Sequence, residues 1–110
     1  MNFNLLIMMT QLKIFVSVFL LSVAINVQAQ KTGIIKGRVL DTDNLSLPGA
    51  NVVVESINKG SITDNYGYFT ITGVAGGTYE LSVSYIGFNP DKKQVTVEPG
   101  KTTVVDFSLV

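Results

Sequence analysis

The chain has 110 residues, with eight Lys or Arg and eight Asp or Glu, so its formal net charge at pH 7 is zero. Nothing in this balance indicates the basic surface that nucleic-acid binding requires, and we expect no nucleic-acid partner. The chain contains no histidine and no cysteine, which removes the usual general base, thiolate nucleophiles, disulfides and the preferred ligands of zinc.

The first predicted element is a signal peptide over residues 1–29. Residues 14–25 form an apolar run that is interrupted only by two serines, and Lys13 precedes it. A run of this length is typical of a signal-peptide core, whereas a membrane-spanning helix needs about 20 residues. The alternative is a short N-terminal helix that belongs to the mature fold. The positive charge before the run favours the targeting interpretation.

We predict that the signal peptide is cleaved between Ala29 and Gln30. Ala29 ends a Val-Gln-Ala sequence, in which small or compact residues stand at the positions that signal peptidase reads. Residues 30–110 would then be exported to the periplasm as one domain, with no transmembrane span after cleavage.

Residues 30–110 are predicted to form an all-β domain, because their hydrophobic pattern repeats every two residues. The clearest case is TYELSVSYI over residues 78–86, which alternates apolar and polar side chains up to Tyr85. Such alternation is typical of a strand with one buried face. Turn sequences rich in Gly, Pro, Asn and Asp separate the runs at intervals that are typical of a β-sandwich or barrel. The predicted strands are 34–41, 50–57, 60–63, 67–72, 78–86, 92–97 and 102–109.

Four motifs occur in a fixed order, namely GRV at 37–39, LPGANV at 47–52, TDNYGYFTI at 63–71 and GTYELSVSYIGF at 77–88. In this order they resemble the carboxypeptidase-regulatory-like (transthyretin-like) domain, over nearly all of the processed chain. The resemblance implies a seven-stranded antiparallel β-sandwich of the transthyretin or immunoglobulin type. It also implies a likeness to the domain that follows the signal peptide in SusC-like TonB-dependent outer-membrane receptors.

The acidic residues are interpreted as turn residues, so we predict no catalytic residue, no metal site and no cofactor. Residues 41–44 and 64–67 are rich in oxygen ligands, but a calcium ion takes about six to eight oxygens and neither loop supplies them. The carboxylate pairs Asp41–Asp43 and Asp64–Glu55 would need a cleft that raises the pKa of one partner. Asp side chains in turns more commonly bond to their own backbone.

Three functional interpretations remain. The leading one is a non-catalytic periplasmic interaction or structural module with a protein partner at the outer membrane, as the N-terminal extension or a truncated fragment of a TonB-dependent nutrient receptor. The second is a stand-alone secreted module that binds a protein or a glycan, with Tyr66, Tyr68 and Phe88 as the possible binding surface. The alternative role of these aromatic residues is to cover one end of the sandwich. The third interpretation is an accessory domain of a peptidase.

Overall fold

A computed structural model describes residues 4–14 and 31–110. Residues 4–14 form a helix, and within the two described ranges no helix combines the length and the apolar character that crossing a bilayer requires. Apart from Ile14, the predicted signal-peptide core and the cleavage position between Ala29 and Gln30 lie outside the described residues. The signal peptide therefore stays a prediction. Residues Lys31–Val110 form a compact unit of their own.

Residues 31–110 form an all-β fold, as predicted, in which eight strands are described. The strands are β1 (Gly33–Asp41), β2 (Asn51–Val54), β3 (Lys59–Ile62), β4 (Tyr68–Val74), β5 (Gly77–Ser84), β6 (Asp91–Val97), β7 (Thr102–Val104) and β8 (Phe107–Leu109). The predicted strand 50–57 ends early, in a 3-10 turn over Glu55–Ile57. The predicted strand 102–109 is divided into β7 and β8. Between them, the carboxylate of Asp106, and not its backbone carbonyl, accepts the backbone N–H of Arg38 at 2.9 Å.

The strands form two sheets, which confirms the predicted sandwich. Sheet I has the order β4-β1-β7, with β8 also paired to β1, and sheet II has the order β3-β2-β5-β6. All pairs of sheet II and the β1–β4 pair are antiparallel. The pairs that β1 makes with β7 and β8 are parallel, so the expectation of a wholly antiparallel sandwich is corrected there. The reason is that the chain crosses from sheet II to sheet I after β6 instead of turning back as a hairpin.

The inward-facing side chains of both sheets share one apolar core. Its buried members are Ile35, Val39, Leu47, Ala50, Val52, Val54, Phe69, Ile71, Val74, Leu81, Val83, Val95, Val97, Phe107 and Leu109. The alternation predicted along β5 is confirmed, since Leu81 and Val83 are buried between the exposed or half-buried residues on either side. Burial of aliphatic side chains on this scale is the main force that holds two sheets together.

The two ends of the sandwich carry different connections. The loops 41–50, 63–67 and 85–90 lie together at one end, which we call the loop end. Backbone hydrogen bonds link these loops to β1 and to the residue that follows β8, from Val39 N–H to the Gly67 carbonyl at 2.8 Å and from Asn89 N–H to the Val110 carbonyl at 2.8 Å. The connections 55–58, 75–76 and 98–101 lie at the opposite end.

Candidate functional site

Two aspartates organise the turns of the loop end. Asp41 Oδ1 accepts the backbone N–H groups of the residues two and four positions further on, at 2.8 and 2.9 Å. Asp64 Oδ1 does the same, at 2.9 Å for both. These acids therefore have the structural role of Asx turns, which fix a loop without the help of a ligand. Within the described residues no group of three or more His, Cys, Asp or Glu is placed to hold a metal ion.

A buried threonine ties two loops of the loop end together. The Thr63 hydroxyl accepts the N–H of Ala50 at 2.8 Å and donates to the carbonyl of Leu47. The Thr63 side chain is the one buried polar side chain within the described part of the chain. Its position within the TDNYGYFTI motif was visible in the sequence, but nothing in the sequence distinguishes it from the exposed threonines nearby.

Arg38 contacts the Tyr68 ring and the backbone of Tyr66. Arg38 and Tyr68 are cross-strand partners of β1 and β4, and the guanidinium carbon lies 4.9 Å from the centroid of the Tyr68 ring. Arg38 Nε also donates to the Tyr66 carbonyl at 2.8 Å. The tyrosines remain 69% and 51% exposed, so the cation–π contact orients the Tyr68 ring without burying it.

The Tyr68 ring borders a shallow groove of about 340 Å³ on the outer face of sheet I. The outward side chains that line the groove are Lys36, Arg38, Tyr68, Thr70, Val104 and Asp106. An aromatic face beside cationic and hydroxyl groups is chemically suited to a polar ligand with a flat apolar side, such as a sugar. The groove therefore offers groups that could bind such a ligand.

Phe88, the third aromatic residue of the predicted binding surface, has a different environment. Its side chain is half-buried and packs against the core. The Phe88 and Tyr85 ring centroids are 5.7 Å apart, and Phe88 does not line the groove beside Tyr68. Of the three predicted residues, Tyr68 therefore lines the groove, Tyr66 contacts Arg38 through its backbone carbonyl, and Phe88 covers the end of the core.

A larger open groove, of about 720 Å³, lies on the outer face of sheet II at the loop end. Its lining residues are Pro48, Gly49, Asn51, Ser84, Tyr85 and Ile86. The Ile86 side chain is 97% exposed. The predicted strand 78–86 ends two residues early, at Ser84, because the chain turns at Gly87, whose φ is +89°. Ile86 was not among the predicted site residues.

The shorter of the two ion pairs in the described part of the protein lies away from both grooves. Lys101 Nζ is 2.8 Å from the Glu98 carboxylate, at the opposite end. The hydrogen bond from Lys101, followed by its positive charge, lowers the pKa of Glu98, and the same contact raises the pKa of Lys101. Both side chains are exposed, so this pair closes a surface turn and is not a functional acid.

A family model described as "Carboxypeptidase regulatory-like domain" matches residues 34–110, which includes all but the first residue of the sandwich strands. The chain belongs to this family. The family predicted from the order of the motifs is thereby confirmed. The family model thus describes a regulatory-like domain and not a catalytic one.

Two relatives show how this domain is shared between different proteins. The carboxypeptidase N catalytic chain of Mus musculus is 40% identical over 76 residues, which is 68% of this chain and 16% of that protein. The TonB-dependent receptor SusC of Bacteroides thetaiotaomicron is 38% identical over 64 residues, which is 58% of this chain and 6% of the receptor. The chain thus spans only a small part of the length of either relative, and the predicted likeness to SusC is confirmed.

Solved structures show the same fold. A putative carbohydrate-binding protein from Bacteroides uniformis superposes with a TM-score of 0.55 at 20% identity, over 71% of this chain and 41% of that one. At this level of identity the likeness establishes the β-sandwich alone.

Proposed function

We propose that this chain is a non-catalytic interaction module that is exported and acts at the outer membrane, as part of or beside a TonB-dependent nutrient receptor. The observation that carries the proposal is the family match over residues 34–110 together with 38% identity to SusC. A module shared by a carboxypeptidase chain and a receptor is not tied to either chemistry, which supports a role in binding.

The geometry of the loop end supports a binding role. Asp41 and Asp64 hold their turns through paired hydrogen bonds, and Thr63 joins two of the loops. Loops that are ordered before binding lose less conformational entropy when a partner docks. The sequence contains no histidine, the most common general base, and no cysteine nucleophile.

Fractionation of the producing cells tests this proposal. We expect the mature protein to begin at Gln30, to partition with the outer membrane and to co-purify with a TonB-dependent receptor. The matched control is Leu21→Arg, which places a charge within the apolar run and should keep the precursor in the cytoplasm. An unprocessed wild-type chain in the cytoplasm would contradict the proposal.

The exposed tyrosines favour glycan binding as a second candidate function. The groove beside Tyr68 combines an aromatic face with the side chains of Lys36, Arg38 and Thr70. If sugars bind there, Tyr68→Ala should weaken binding about tenfold, because aromatic contacts contribute about 0.5–1.5 kcal/mol and 1.4 kcal/mol is tenfold. Phe88→Leu should leave the affinity unchanged, because Phe88 lies outside the groove.

A glycan array followed by titration of a bound sugar measures this effect. A blank array, or full binding by Tyr68→Ala, would rule out the groove as a sugar site. Equal losses in Tyr68→Ala and Phe88→Leu would instead indicate that both substitutions act through the stability of the fold.

A further inference from the structure

Ile86 is the most exposed large apolar side chain in the described part of the protein. Its exposed fraction is 97%, and the next highest value is 73%, at Val110. Burial of an isoleucine side chain is favourable in water, so an isoleucine held almost wholly in solvent has no stabilising role in the isolated domain.

The turn that carries Ile86 is well anchored. Phe88 N–H donates to the Tyr85 carbonyl at 3.1 Å, and both aromatic rings pack against the core. Asn89 N–H then donates to the Val110 carbonyl at 2.8 Å. Ile86 is therefore presented at the tip of a defined turn, so little conformational entropy of the backbone is lost when a partner binds it.

Ile86 has an apolar neighbour on the outer face of sheet II. We define the loop-end patch as Ile62 and Ile86, whose exposed fractions are 68% and 97%. Ile62 and Ser84 both pair with Asn51 across sheet II, and Asn51 and Ser84 line the groove beside Ile86. Single exposed apolar residues are common on protein surfaces, but two on one face beside an open groove indicate an interaction surface.

The loops of the loop end carry acidic residues and no basic ones. The segments 41–50, 63–67 and 85–91 contain no Lys or Arg. Their acidic residues are Asp41, Asp43, Asp64 and Asp91. The opposite end, by contrast, carries Lys31, Lys59 and Lys101 with Glu55 and Glu98. An acidic border opposes binding to an anionic lipid surface and attracts a basic partner.

The nearest cations in the sequence are Lys92 and Lys93, which directly follow the segment 85–91. Lys92 Nζ pairs with Glu80 at 3.5 Å, and Lys93 Nζ donates to the Asp106 carbonyl, so both amino groups are held by partners outside the loops. Arg38 lies on sheet I, where its Nε donates to the Tyr66 carbonyl.

We infer that the loop-end patch docks a protein partner whose surface offers an apolar pocket for Ile86 bordered by Lys or Arg side chains. This inference rests on the proposed function as an interaction module and assigns that function to one surface. The rim of the partner's pocket would contact the groove beside Ile86.

Site-specific photo-crosslinking in the producing cells tests this surface. The full chain carries p-benzoylphenylalanine in place of Ile86, or in place of Ser56 as a control, because Ser56 is exposed in the turn Glu55–Ile57 at the opposite end. We expect a protein adduct at position 86 and none at position 56. Mass spectrometry should map the adduct to apolar partner residues with Lys or Arg beside them.

The outcomes separate this inference from the proposed function. A protein adduct only at position 56, or equal adducts at both positions, would refute the loop-end patch and leave an interaction module. Adducts to lipid or to a second copy of this chain would also refute the inference. No protein adduct at either position would count against the proposed function itself.

The purified partner then gives a quantitative test with the processed protein. Ile86→Asp should weaken binding about 30-fold, the effect of losing a central binding residue. Asp43→Asn should slow association about twofold and reduce the salt dependence of the association rate. The substitution should leave the loop intact, because the Asp43 carboxylate caps no turn. Ser56→Asp should bind like the unchanged protein. Unchanged affinity in Ile86→Asp would overturn the inference.

Discussion

Replacement of Gly37 by alanine is expected to destabilise the sandwich by about 3 kcal/mol, the upper part of the range for overpacking a core. Gly37 is buried in the middle of β1. A Cβ atom at Gly37 would lie 1.7 Å from the carbonyl oxygen of Val105. Val105 N–H donates to the Lys36 carbonyl at 2.9 Å, so the backbone at Val105 cannot withdraw without losing this hydrogen bond. Thermal unfolding by circular dichroism measures the effect, as a decrease in Tm of about 15 °C.

Gly100→Ala is the matched control for this steric effect. A Cβ atom at Gly100 would have no neighbour within 4 Å, although its φ is +76°. The substitution therefore measures only the cost of placing a non-glycine residue in the left-handed conformation, which is about 1 kcal/mol. Equal losses of stability in Gly37→Ala and Gly100→Ala would show that the contact with Val105 is not the cause.

Thr63→Val should cost about 3 kcal/mol, because it leaves two polar groups without their partner in the protein interior. These groups are the Ala50 N–H and the Leu47 carbonyl, which bond to the Thr63 hydroxyl. Valine has nearly the same shape as threonine, so the loss measures the hydrogen bonds. Denaturant unfolding gives the free energy, and hydrogen exchange should show faster exchange at the Ala50 amide.

Thr63→Ser separates the hydroxyl from the methyl group. Serine keeps both hydrogen bonds and loses one buried methyl group, so we expect about 0.8 kcal/mol. If Thr63→Ser destabilised the protein as much as Thr63→Val, packing of the methyl group would be the dominant contribution of this residue.

The alternation of apolar and polar residues correctly predicts which side of β1 and of β5 is buried. Ile35, Gly37 and Val39 have the alternating phase that the structure buries in β1. Alternation specifies a face, but it specifies neither the neighbouring strand nor its direction. For this reason the parallel pairing of β1 with β7 and β8 could not be predicted from the sequence pattern.

The candidate surfaces were predicted only in part. Tyr66 and Tyr68 are exposed, as their position beside a turn indicates, whereas Phe88 packs against the core through a loop whose path no periodicity predicts. The exposure of Ile86 was predictable from its position in the outward phase of residues 78–86. The preceding members of this phase are Thr78, Glu80, Ser82 and Ser84.

The parallel pairing of β1 also has a mechanical consequence. Because β1 runs in the same direction as β7 and β8, residues 31 and 110 emerge at opposite ends of the sandwich. A force that pulls these two residues apart acts along the strands and loads their hydrogen bonds side by side, in shear. These bonds must rupture together instead of opening one after another. Under this load β1, which is about 30 Å long at about 3.3 Å for each residue, is held by its hydrogen bonds to β7 and β8.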